Sequence, residues 1–212
     1  LDLLLLNGMS GGRWCLCIDP EQTIYNTQFD EATHSKLVDQ GHTVSLTVNC
    51  RNTKPIAAYF TGISNIAQRQ VRASEGPDVV LDYYDDFEGY ERLLKKYVNS
   101  LVTEFKKAKL SPTDIVILTA DKQYVLELSK KTLTELVLPV VPYHGSLEEN
   151  RIGWSSIHAY KGLEAMAVIL VGITDLSSVD NRRLFYVGAS RARTHLVSLL
   201  PKSTADQIID AL

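Results

Sequence analysis

The sequence predicts an α/β protein built on a mainly parallel sheet with helices on both faces. Two observations carry that reading. Short β-branched runs recur at 44–48, 115–118, 140–143, 156–158, 168–172 and 196–200, and amphipathic helical patterns lie between several of them, at 55–60, 90–107, 122–136 and 181–193. Strands that alternate with helix-period segments are joined by crossovers, and crossovers lay helices over both faces of a parallel sheet.

Taken in order, residues 1–7 read as a short apolar helix ending at Gly8, with Ser10-Gly11-Gly12 as a turn. Residues 13–19 read as a buried strand, stopped at Asp19-Pro20 because proline cannot donate to a ladder. The polar stretch 29–40 reads as a weak helix or linker closed by Gly41. Either Asn52 or Thr53 can cap the helix at 55–60, and Pro55 suits its first turn, where a missing N–H removes no helical bond. In the stretch from Gly62 to Glu88, residues 79–84 are a candidate strand, and Asp85-Asp86 suits a helix start.

Composition narrows the function classes. A length of 212 residues allows one to two domains. The 22 Lys and Arg against 25 Asp and Glu give a formal charge of −3, which excludes a global basic field and leaves nucleic-acid contact to a local strip. Cys15, Cys17 and Cys50 form an odd set without zinc spacing, as expected of a reduced, cytoplasmic protein with no metal site of its own. The apolar run from Leu3 to Leu6 is far shorter than the roughly 20 residues of a membrane span, so no membrane partner is expected. The sequence holds no G-x-x-x-x-G-K-[ST] phosphate loop and no Asp-Glu pair closing an apolar strand ahead of the motifs below.

Four stretches carry chemistry. Ile18-Asp19-Pro20-Glu21-Gln22-Thr23-Ile24-Tyr25 ends a strand in an acid and a proline, then offers an amide and an aromatic ring. Leu46-Thr47-Val48-Asn49-Cys50-Arg51-Asn52-Thr53 delivers an arginine at a strand end, where α/β sheets present groups to ligands; a planar, permanently charged guanidinium suits phosphate. Ser156-Ile157-His158-Ala159-Tyr160-Lys161-Gly162-Leu163-Glu164 packs a hydroxyl, an imidazole, an amine and a carboxylate into one strand-end junction. In Arg182 to Arg193, helical spacing puts Leu184, Val187, Gly188 and Arg191 on one face, so an apolar stripe ends in a guanidinium at the lip of the sheet, while Arg193 points elsewhere as a structural residue.

In this order the four stretches resemble motifs three to six of the UvrD/Rep-type superfamily 1 DNA helicases, whose RecA-like domains couple ATP hydrolysis to movement along single-stranded DNA. The resemblance implies that residues 1–42 are the C-terminal remnant of a first RecA-like domain and residues 43–212 a second RecA-like domain, in a compact form without the large subdomain that relatives insert after Tyr143-His144-Gly145. It implies catalytic roles for Gln22, Arg51 and Arg191, with Gln22 sensing the terminal phosphate, Arg51 binding it and Arg191 serving as the arginine finger. It places Glu164 on the ribose of ATP, with Gly162 beside it, and gives Tyr25, Ser156 and His158 to the DNA. Asn26-Thr27-Gln28 stands where relatives carry a Trp-Arg pair, and Ser156 where they carry threonine. The implied partners are single-stranded DNA and a first RecA-like domain of a longer parent chain, which holds the phosphate loop and the Mg²⁺ ligands; the implied polarity is 3′ to 5′. A degenerate RecA-like module that binds DNA or protein without hydrolysis is the alternative. An RNA-directed relative is a further one, with the His-x-x-Lys-Gly-Leu-Glu pattern favouring DNA.

Overall fold

The computed structural model describes residues 19, 22, 24, 35, 38, 39, 42, 44–65, 70–72 and 74–209. The helix expected over 1–7, the strand over 13–18, Tyr25 and nearly all of 29–40 lie outside the described residues.

Among the described residues a short parallel pair, β1 (Val48–Asn49) with β2 (Gln70–Val71), flanks helix α1 (Lys54–Ser64). The main elements follow as β3 (Val80–Tyr84), α2 (Phe87–Lys107), β4 (Ile115–Thr119), α3 (Gln123–Leu126), α4 (Lys130–Glu135), β5 (Val140–Pro142), β6 (Ile152–Ser156), β7 (Ala165–Val171), α5 (Val179–Ala189), β8 (Ala192–Pro201) and α6 (Ala205–Ile209). Strands β3 to β8 form one sheet in the order β3-β8-β7-β4-β6-β5, and every pairing is parallel.

Alternation along the strands sorts the core into two layers. Val116, Leu118, Val168, Leu170, Leu196 and Leu200 face α1 and α5. Ile115, Ile117, Ala167, Ile169, Val197 and Leu199 face α2 and the segments after β4. Successive side chains of a strand point to opposite faces, so a strand apolar throughout requires cover on both sides. Edge-on ring contacts of Tyr59 with Phe185 and of Phe60 with Tyr186 lock α1 against α5. The main helices start where sequence chemistry places them: Asp86 accepts from the Gly89 N–H and Ser178 from the Asn181 N–H, each side chain replacing a missing intrahelical bond.

Several expectations shift. The strand expected at 156–158 lies upstream, at Ile152–Ser156, and 157–162 turns away from its end. The strand expected at 44–48 shrinks to Val48–Asn49. The helix expected at 122–136 breaks into two short ones, with Ser129 capping the second. The helix expected to run to Arg193 ends at Ala189, because the chain must turn at Ser190 and Arg191 to enter β8. Residues 143–151 alone join β5 to β6, as the compact form requires.

Candidate functional site

The turn after β1 is the first component of the site. Asn49 Oδ1 accepts from the backbone N–H of Arg51 (3.0 Å) and of Asn52 (3.3 Å), while Asn49 Nδ2 donates to Asn52 Oδ1 (3.0 Å). Asn52 is buried and does not cap α1. Its Nδ2 reaches across the chain to the carbonyls of Ser190 (3.0 Å) and Ala192 (2.6 Å), on either side of Arg191. Thr53 stands at the helix N-cap without a side-chain cap bond. Its N–H donates to the carbonyl of Arg193 at 3.1 Å. The β1–α1 turn is thus fastened to the α5–β8 turn over more than a hundred residues of sequence.

Strand β7 supplies the second component. The N–H of Ala165 donates to the carbonyl of Arg191 (3.0 Å), which seats Glu164 at the N-terminal edge of the sheet beside both turns. Arg51 Nε contacts Glu164 Oε2 at 2.8 Å, and Arg193 Nε lies 3.7 Å from Glu164 Oε1. All three side chains are about half exposed, at 45%, 43% and 52% for Arg51, Glu164 and Arg193. They line a cleft of about 490 Å³ with Asn49, Phe60, Tyr186 and Ser190, and Asp19 and Gln22 from the motif-three stretch line it too. Gln22 Nε2 donates to Asp19 Oδ2 at 2.9 Å.

Arg191 departs from expectation. It follows α5 rather than ending its apolar stripe, and it is 2% exposed. Its Nε donates to the Val187 carbonyl (2.9 Å), Nη1 to the Leu163 carbonyl (3.4 Å) and Nη2 to Ser190 Oγ (2.9 Å). Burial holds its pKa below the ordinary arginine value, and the neighbouring Arg51 charge adds to that effect. Arg191 therefore shares the edge of the sheet with Arg51, but its guanidinium points inward. Arg193, expected to point elsewhere as a structural residue, instead lines the cleft, because β8 begins at Ala192, four residues before the strand expected at 196–200.

The DNA candidates occupy the other end of motif five. Ser156 closes β6, and its Oγ accepts from the Ala159 N–H (3.3 Å); His158 Nε2 is 3.2 Å from the carbonyl of Ile24. Tyr25, the next residue, lies outside the described residues. Gly162 has φ of 90°, a left-handed conformation that favours glycine, and open space where a Cβ would stand. Tyr160, its phenol raised to about 12 by burial first and by Tyr143 next, donates to the Glu164 carbonyl and steadies the approach to β7.

The sequence reading did not find Asn52 as a cross-link or Arg193 as a cleft residue. The first has no signal in local spacing, since its partners are 138 and 140 residues away. The second could have been found by placing the end of α5 at Ser190, a residue that helix interiors disfavour.

A parallel sheet covered on both faces, with Arg51, Arg191 and Arg193 gathered at one edge, has a RecA-like α/β architecture. Residues 154–198, which contain the fifth and sixth motifs, match the family described as UvrD-like helicase C-terminal domain. In fold the chain is similar to the C-terminal domain of a possible DNA helicase from Lactobacillus plantarum WCFS1, with a TM-score of 0.59 and 18% identity, over 77% of this chain and 94% of that one. Similarity to the C-terminal part of the Fun30 ATPase domain is lower, with a TM-score of 0.38 and 14% identity over 61% of this chain and 47% of that one, too low to bear on the fold. No curated protein sequence matches the chain. The family match and the fold support the resemblance read from the motifs.

Proposed function

We propose that this chain is the second RecA-like half of an ATP-dependent DNA helicase or translocase, working with a first RecA-like domain that carries the phosphate loop and the Mg²⁺ ligands. The observation that carries the reading is the meeting of Arg51 and Glu164, 113 residues apart in sequence, in a cleft that Gln22 also lines. Two half-exposed guanidinium groups and an amide donor fit a polyphosphate chain, which needs cations and donors that keep their charge at neutral pH. Among the described residues no group of three or more His, Cys, Asp or Glu could hold a metal ion. No helix among the described residues is long and apolar enough to cross a membrane.

In this reading Arg51 binds the terminal phosphate, Gln22 donates its amide to the same group, and Glu164 accepts from a ribose hydroxyl. Bound ATP supplies the phosphoryl transfer that drives movement along DNA. Arg191 lies behind Arg51 with its donors on protein acceptors, so the arginine-finger role requires its side chain to turn outward from the position seen here. Ser156, His158 and Tyr25 hold single-stranded DNA, and the polarity is 3′ to 5′ by likeness to the family.

The buried guanidinium of Arg191 is the one observation that favours the alternative, a RecA-like module that binds without hydrolysing. Steady-state ATP hydrolysis by the full-length protein separates the two. Arg191→Ala should lower kcat by about 10³-fold or more, as loss of an arginine finger does, with a smaller change in nucleotide affinity. Near-normal turnover by that variant, or no DNA-stimulated hydrolysis by the wild type, would leave the binding module as the better reading.

A further inference from the structure

Glu164 is placed between two guanidinium groups. Its Oε2 is 2.8 Å from Arg51 Nε and its Oε1 3.7 Å from Arg193 Nε, and both arginines line the same cleft. A carboxylate so placed presents two oxygens to two cationic planes, which is also what a phosphoryl group presents. Arg193 belongs to β8, and its backbone is held by the Thr53 N–H, so its position relative to Arg51 is fixed by the fastening of the two turns. Arg191 cannot fill this position from its buried place, where Val187, Leu163 and Ser190 already accept from it.

We infer that Glu164 is a placeholder for phosphate and that Arg193 is a second nucleotide-phosphate ligand beside Arg51. The inference rests on the ATP-binding reading above and extends it. Without a ligand, the single carboxylate offsets one of the two positive charges and bridges both guanidinium groups at a set spacing. An entering polyphosphate exchanges places with it, taking both guanidinium groups and releasing Glu164 to accept from the ribose hydroxyl. The exchange forms and breaks only ion pairs and hydrogen bonds.

Inorganic tripolyphosphate is the discriminating probe, because it carries the charge of the nucleotide tail without the ribose. Its affinity for the full-length protein, and that of ATP, is to be measured by calorimetry. Arg193→Ala should weaken both ligands by about tenfold, in the range of Arg51→Ala, as expected for loss of one charge-assisted contact. Glu164→Gln should tighten tripolyphosphate by several-fold and ATP by less, since it removes the competing charge and leaves only a neutral, weaker acceptor for the ribose hydroxyl. Arg193→Lys keeps the charge and should recover part of the loss, separating a ligand role from a packing role.

Arg193→Ala binding both ligands as the wild type does, with Arg51→Ala impaired, overturns the inference and leaves the ATP-binding reading standing. Tripolyphosphate affinity unchanged by Glu164→Gln overturns the placeholder role in the same way. Absence of ATP binding by the wild-type protein removes the underlying reading, and the inference with it.

Discussion

Asn52 shows how one buried amide can hold a site together. Its two donor bonds run to the carbonyls of Ser190 and Ala192, and its own oxygen is occupied by Asn49, so three of its polar contacts are made inside the protein. Replacing it with alanine leaves two carbonyls facing a small void without donors. Each buried group stripped of its partner costs about 1–3 kcal/mol, so Asn52→Ala should destabilise the protein by at least about 2 kcal/mol in chemical denaturation. Asn52→Asp should be no milder, because a carboxylate would face two carbonyl oxygens. Stability equal to the wild type would show that the fastening of the two turns is made elsewhere. The same residue marks a limit of local reading. Its sequence neighbourhood allows it to be a helix cap, and only the fold reveals that its partners are distant.

Among the elements, α5 and its exit determine which arginine faces the cleft. Short continuous apolar runs and helical patterning made the sheet, its parallel sense and helices on both faces legible, since apolar runs such as 115–118 and 168–171 have no other stable setting. Element ends were less legible. The helical spacing of Leu184, Val187 and Gly188 is real, but the run stops at Ala189 because Ala192 must pair with Ala165 at the start of β7. Tertiary pairing overrides local propensity there, and Arg191 and Arg193 exchange their expected exposures as a result.

Gly188 reports on the same helix. A Cβ built on it would stand 2.7 Å from Leu170 Cδ1 and 3.2 Å from Ile157 Cδ1, both in the packed core. Alanine is better than glycine inside a helix by about 1 kcal/mol, while overpacking a close-packed core costs about 1–3 kcal/mol. The second effect should win, so Gly188→Ala should lower the midpoint of chemical denaturation. A stabilised variant would mean that α5 can lift from β7 without loss, which is incompatible with its role in placing the Arg191 turn.

For the whole molecule, the charge balance sets what binding to DNA can look like. A formal charge of −3 gives no long-range attraction to a polyanion, and the candidate contacts are confined to Ser156, His158 and Tyr25. Two of these are legible only through motif order, since a hydroxyl and an imidazole at a strand end are common in cores, and the third lies outside the described residues. Counterion release scales with the number of phosphates neutralised, with a slope of about −0.7 per phosphate on single strands. Of these three side chains only His158 can carry a positive charge, so at most one phosphate is neutralised and the log–log slope should be no steeper than about −0.7, shallow beside that of a basic nucleic-acid-binding domain, with weak affinity for this chain by itself. A stacking residue adds about 1–3 kcal/mol per base without changing the slope, so Tyr25→Ala should weaken binding at every salt concentration by a constant factor. The measurement is a single-strand titration by fluorescence anisotropy across a salt series. A steep slope would require Lys or Arg contacts beyond these three residues, and binding unaffected by Tyr25→Ala, Ser156→Ala and His158→Ala together would move the DNA path away from the motif-five junction.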